Sequence, residues 1–286
     1  FCGYFDIAMR SRVPLRNITR QMSANQQVRS TAASGSQVYE SKRAVHEYLL
    51  FHYGRQEDHM AFPFGPVNAL NFPARCAIVC NERGSSSGKA RALDIGCAVG
   101  ASSFELARHF NEVVGIDFSN HFVDAANEMK EKGSMQFQSL VRGQVYKTCE
   151  TYLDQTIDRS RVVFEQGDAC NLSPDLGQFD CILASNLLCR LPDPRKFLSD
   201  VPTLLKPGGC LVLVSPYSWL EEYTPSSKWI GATAQTPDSA EEIVKILTSA
   251  GQPLELVHRE DLDFVIREHE RKYQYGVSDC MVWKKK

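Results

Sequence analysis

The residues best placed to do chemistry are three carboxylates and one glycine-rich turn. Asp94-Ile-Gly96-Cys-Ala-Val-Gly100 overlaps the end of an apolar run, Ala92 to Ile95, and precedes a helical pattern. Glycine at such a turn lets a ligand approach the backbone closely. The helix that follows offers free N–H groups and a partial positive charge. Asp117 closes the next apolar run, 23 residues after Asp94. At that interval a nucleotide-binding fold puts a carboxylate on the ribose hydroxyls. Asp168, in Gly167-Asp-Ala169, closes the third run. The turn is not the dinucleotide pattern GxGxxG, because no third glycine follows Gly100. A pyrophosphate is poorly served by a carboxylate as near as Asp94. A cationic or zwitterionic ligand with a ribose fits better.

These residues need elements to hold them. The pattern predicts strands at 92–95, 112–116, 161–165, 179–184 and 210–215, and helices at 101–110, 120–132 and 194–205. Alternation of this kind implies an α/β fold, a mostly parallel sheet with helices on both faces. All three carboxylates then fall at strand C-termini, where open α/β sheets bind ligands. The ending differs: a helix at 238–250, then strands at 254–260 and 274–283 joined by a loop. That suits an antiparallel hairpin at a sheet edge. Residues 136–160 are polar and interrupt the rhythm, and they read as a partly helical insertion. Upstream, Val38 to Tyr53 reads as an amphipathic helix ending at Gly54, and Pro73 to Glu82 as a second. Gly84 to Gly88 is a hinge. From Ala8 to Gln37 there are five arginines and no acid, a composition expected of a disordered tail or linker. The organisation is therefore a tail at 1–37, a helical cap at 38–88 and the main domain at 89–286. A chain opening on Phe1 is expected to be part of a longer product.

Composition narrows the function. Apolar residues make up 43% and charged residues 23% of 286 residues, ordinary globular usage. A net charge of −2 argues against a nucleic-acid partner. No apolar run approaches the ~18 residues of a membrane span. The ten cysteines form no CxxC pair. They are expected to be small buried hydrophobes in a reducing, cytoplasmic setting, with no catalytic metal.

Asp94-x-Gly96-x-Ala98-x-Gly100 resembles motif I of the class I S-adenosylmethionine-dependent methyltransferases, with Ala98 where that family usually has glycine. The resemblance implies a Rossmann-like fold with a seven-stranded, mostly parallel sheet and an antiparallel last strand. It implies S-adenosyl-L-methionine as cofactor. In that family the turn, here Asp94, Gly96, Cys97 and Gly100, holds the methionine part. Asp117 with Phe118 binds the ribose, Asp168 with Ala169 faces the adenine, and Asn186 lies near the methyl group.

A narrower resemblance rests on five separated blocks: Tyr48 to Gly54, Asp94 to Glu105, Asn186 to Asp193, Ser215 to Thr224 and Arg267 to Tyr273. Together they are similar to the methyltransferase domain of ovothiol biosynthesis, the 4-mercaptohistidine N1-methyltransferases. The resemblance implies N-methylation of the imidazole ring of 5-thiohistidine to form ovothiol A. It also implies a sulfoxide synthase domain, fused or paired. Among aromatic and polar residues outside the cofactor motifs, Tyr217, Glu221 and His269 are the candidates for catalysis, and Tyr53, Arg190, Trp219 and Arg267 for the substrate. Two alternatives stay open: another small-molecule acceptor, and a non-catalytic S-adenosylmethionine-binding module.

Overall fold

A computed structural model describes residues 39–83, 90–249 and 251–286. The tail at 1–37, Val38 and the hinge at 84–88 lie outside the described residues. Five parallel strands form most of one sheet: β1 Arg91–Ile95, β2 Glu112–Asp117, β5 Val162–Gln166, β6 Phe179–Ser185 and β7 Leu205–Ser215. The hairpin β8 Leu254–His269 and β9 Lys272–Lys285 completes it, in the order β5-β2-β1-β6-β7-β9-β8. β9 pairs antiparallel to β7, so the last strand of the chain is the reversed one. The expected sheet is therefore present.

Side chains of opposite parity on each strand feed two cores. Cys181, Leu183, Val212, Cys280 and Val282 face helices α3 Phe72–Arg83, α4 Ala101–Leu106 and α5 Asn120–Lys132. Ile182, Leu211, Met281 and Trp283 face α6 Pro194–Asp200 and α7 Ser239–Ser249. Helix α1, Lys42–Tyr53, starts where the Ser41 hydroxyl accepts from the Ala44 N–H. It ends at Gly54, and its Leu49 and Leu50 enter the first core. A four-residue helix, α2 Gln56–His59, follows it.

Several boundaries differ from the sequence reading. The stretch 136–160 is not a partly helical insertion. It holds an antiparallel hairpin, β3 Ser134–Arg142 and β4 Val145–Tyr152, turning at Gly143, whose φ is 54°. Its inward residues are Phe137 and Ser139 on one strand and Cys149 and Thr151 on the other. Polar Ser139 and Thr151 at inward positions hide the two-residue alternation. The helix predicted at 194–205 stops at Asp200 and tightens to a 3-10 turn over Val201–Leu204. Pro202 has no N–H with which to continue it. β8 runs nine residues beyond its predicted end because its outer half packs on the cap: the Val265 carbonyl meets His59 Nε2 at 3.0 Å. The nine described cysteines are buried, and none is in a disulfide.

Candidate active site

The glycine-rich turn leaves β1 at the C-terminal edge of the sheet. The Gly96 and Cys97 N–H groups donate to the Ile116 carbonyl, at 2.8 and 3.0 Å, and tie the turn to β2. Gly96, Ala98 and Gly100 all have positive φ, at 77°, 47° and 91°. At Gly100 a Cβ would fall 2.6 Å from Phe164 Cζ, so both conformation and packing demand glycine. Ala98 holds a left-handed conformation that costs an L-residue about 1–2 kcal/mol.

The two nearest carboxylates do different work. Asp94 is buried, and one of its oxygens accepts from the Ser102 and Ser103 hydroxyls at 2.7 and 2.6 Å. It pins the start of α4 to β1. Burial raises its pKa, against the pull of those hydroxyls. Asp117 accepts from the Ala98 N–H with one oxygen and the Ser119 N–H with the other, each at 2.9 Å. Each oxygen keeps a further lone pair. Burial pushes its pKa up to about 6, with Asp94 and Glu40 adding to the effect.

Cys97 is buried behind the turn, and burial raises its thiol well above the usual range. Phe118 is 40% exposed beside Asp117. Asp168 is exposed and accepts from the Cys170 N–H at 2.8 Å, and Ala169 is buried. Asn186 follows β6 with φ 51°, and its side-chain oxygen accepts from the Ser278 hydroxyl at 2.7 Å. The cofactor-side candidates thus share the C-terminal edge.

Helix α1 lies over this edge. The Tyr53 hydroxyl donates to the Val99 carbonyl at 2.6 Å. His52 Nδ1 accepts from the Ala101 N–H at 3.4 Å, at the start of α4. Burial lowers the His52 pKa to about 3, so the ring is neutral. The Tyr48 ring is 5.8 Å from His52 and 5.9 Å from Tyr39, and Tyr39 stacks on Tyr223 at 6.1 Å. The segment before α1 is tied down across the cleft: Ser119 donates to the Tyr39 carbonyl, and Asn120 N–H and His121 meet the Glu40 carboxylate. Tyr39, Glu40, Tyr48 and Ser278 were not among the sequence candidates. Their only local signal is the Tyr48/His52 pair, four apart on one helix face.

Other candidates lie elsewhere. Trp219 is buried in the second core and donates to the Ser239 hydroxyl at 3.0 Å, so its indole is packed away from the cleft. Tyr217, with φ 52°, turns its hydroxyl to Asp279 at 2.6 Å, where Arg259 also binds. Asp279 and Ser278 are successive residues of one strand, so that contact faces away from Asn186. Glu221 is exposed on the loop after β7. Arg267 is buried between α2 and β3, donating to the Asp58 and Leu140 carbonyls. His269 accepts from the Arg271 N–H at the tip of the β8–β9 hairpin. It is seven residues along β8 from Leu262, the partner of Ser278, or roughly 23 Å of strand. Arg267 and His269 therefore do not join the cofactor turn. Arg190 does stand at the cleft, with its guanidinium carbon 4.8 Å from the Tyr223 ring centre.

Known proteins resemble parts of this chain in sequence and in fold. Residues 93–213 match the family model described as a methyltransferase domain. The ubiquinone biosynthesis O-methyltransferase of Aeromonas salmonicida (strain A449) is 28% identical over 148 residues, covering 51% of this chain and 50% of that protein. The protein of the same name from Coxiella burnetii (strain Dugway 5J108-111) is 28% identical over 146 residues, covering 51% and 50%. The chain thus spans about half the length of these curated relatives. Among solved structures, the [4+2]-cyclase SpnF superposes with a TM-score of 0.54 at 18% identity, covering 87% of this chain and 94% of that one. That likeness speaks to the fold alone.

Sheet order and site together define a Rossmann-like methyltransferase fold, and the matched stretch, residues 93–213, runs from β1 into β7 of that sheet. Its cofactor is S-adenosyl-L-methionine. The donor set fits it: Asp117 has a lone pair on each oxygen for the ribose hydroxyls, Phe118 offers an apolar face, and the carboxylates suit a sulfonium cation. Among the described residues no three His, Cys, Asp or Glu side chains gather as a metal site. No helix of the described residues is long and apolar enough to cross a membrane.

Proposed function

We propose that the chain transfers a methyl group from S-adenosyl-L-methionine to an imidazole nitrogen of 5-thiohistidine, giving ovothiol A. The observation that carries methyl transfer to a small ring is the roof of the cleft. Tyr39, Tyr48 and neutral His52 lie over the edge that holds Asp117 and Asn186. An aromatic roof of this size suits one planar ring, not a polymer. The choice of 5-thiohistidine rests on the five sequence blocks, and it brings with it a sulfoxide synthase partner and a reducing, cytoplasmic setting.

The bound cofactor supplies an electrophilic methyl on a sulfonium whose departure as a neutral thioether needs no strong acid. The protein's part is alignment, holding the acceptor nitrogen about 3 Å from the methyl and in line with its bond. Asp117 favours the cationic donor before transfer more than after it, so it serves binding rather than rate. Neutral His52 takes the Ala101 N–H on Nδ1 and so keeps its own proton on Nε2, a donor beside the aromatic roof.

The names of the curated relatives favour a second acceptor, a phenol oxygen, which the same roof would also accommodate. Mass spectrometry of purified protein with the cofactor and either 5-thiohistidine, histidine or a catechol separates the readings. A product heavier by one methylene from 5-thiohistidine alone, with fragmentation placing it on nitrogen, is the expected result. Product from the catechol alone would overturn the imidazole reading.

A further inference from the structure

Arg190 is a half-buried cation with no acidic partner among the described residues. Its Nη1 donates to the Ser218 carbonyl at 2.8 Å, the Cys189 carbonyl at 3.1 Å and the Cys189 sulfur at 3.3 Å. The other groups around it are the phenols of Tyr39 and Tyr223. Arg75, Arg91 and Arg108, also partly buried, each have a carboxylate: Asp263 at 3.0 Å, Glu112 at 2.7 Å and Glu105 at 2.9 Å. Among the described residues no Asp or Glu does this for Arg190. Arg159 is held by the Lys130 and Glu131 carbonyls at the end of α5, away from the sheet edge that carries Asn186. Arg267 is likewise without an acid, but backbone carbonyls of the cap take its charge away from the cleft.

Position makes the unpaired charge informative. Arg190 follows β6, four residues after Asn186, and Asp117 ends β2, two strands away along the same edge. The donor end of the cleft is therefore negative, and the end beside Asn186 is positive. Backbone carbonyls hold Nη1, and the Tyr223 face covers one side of the guanidinium, which fixes the fork and partly dries it. A planar fork so held is suited to one carboxylate.

Resting on the methyl-transfer reading of this site, we infer that Arg190 anchors the carboxylate of the acceptor, and that the acceptor is a small ring compound bearing one, such as an amino acid. Tyr39 and Tyr223 are positioning residues, because they touch the guanidinium and order it. The anchor is complete only with the segment before α1 docked, since that segment supplies Tyr39.

The test is equilibrium binding to full-length protein saturated with S-adenosylhomocysteine, so that no turnover is needed. The probes are 5-thiohistidine, histidine and 3,4-dihydroxybenzoate, each paired with its carboxamide. In the wild-type protein at least one acid should bind about tenfold or more tighter than its amide. R190Q should bring that ratio to about one, and R190K should leave it in between. A general loss of folding moves both members of a pair alike, so the ratio reports the anchor itself. A ratio near one for every wild-type pair, or a ratio that survives R190Q, overturns the inference. Methylated product without acid–amide discrimination would sink the anchor alone. Discrimination without product from any acceptor would sink the transfer reading alone.

Discussion

On the donor side of the cleft, Asp94, Gly96, Ala98, Gly100 and Asp117 come from one strand, its turn and the next strand. On the acceptor side, Tyr39, Arg190, Tyr223 and Ser278 come from four distant stretches of chain. The donor side is fixed by backbone conformation: three residues with positive φ and two N–H bonds to Asp117. The acceptor side is fixed by ring packing and by docking of the cap. Such a division lets one half stay constant in shape while the other is changed by substituting exposed or half-exposed side chains.

The sharpest way to break the comparison is G100A. The added methyl would meet Phe164 at 2.6 Å in a backbone region hostile to alanine. Overpacking and conformation together should cost about 3 kcal/mol. Denaturant unfolding should show the loss, and calorimetry should show cofactor binding falling with it. Retained stability and affinity would mean that the backbone does not fix the donor side.

The second test addresses the acceptor side. R267M should destabilise the protein by about 2 kcal/mol, because it leaves the Asp58 and Leu140 carbonyls without their charged donor. Cofactor affinity should hardly change. E221Q, at an exposed loop position, should stay within about 0.5 kcal/mol of wild type. A large rise in acceptor KM with unchanged stability in R267M would return Arg267 to the site.

The third test is pH. The Asp117 pKa is raised to about 6, above the usual carboxylate range. Cofactor binding needs its ionised form, so affinity should fall about tenfold per pH unit below that value. Folding of the free protein should respond the other way. A raised pKa contributes stability that is present below the unfolded pKa near 4 and is lost as pH rises through about 6. D117N should bind weakly at all pH values and flatten both profiles. A wild-type affinity that stays level from pH 7 to 5 would show that Asp117 does not carry the ribose contact.

Much of the fold was legible because burial imposes local periods. The strands β1, β2 and β6 are short, mostly apolar runs, and α5 begins at a serine cap and ends at a glycine. The hairpin at 134–152 was not legible, because Ser139 and Thr151 sit where apolar residues would mark the buried face. Trp219 and Arg267 misled for a related reason. An aromatic or a guanidinium in a loop or near a turn reads as a ligand contact, whereas here each completes a buried interface.

The sequence by itself determined most of the strands, the terminal hairpin and the donor turn. Each follows from residues a few positions apart, where steric limits on φ and the hydrophobic period leave little choice. Only the tertiary structure decided which side chains face the acceptor. The placement of Tyr39 against Tyr223 and Arg190, and of Arg267 inside the cap, depends on contacts between segments far apart in the chain. Such contacts are set by packing of the whole domain, and no local pattern encodes them.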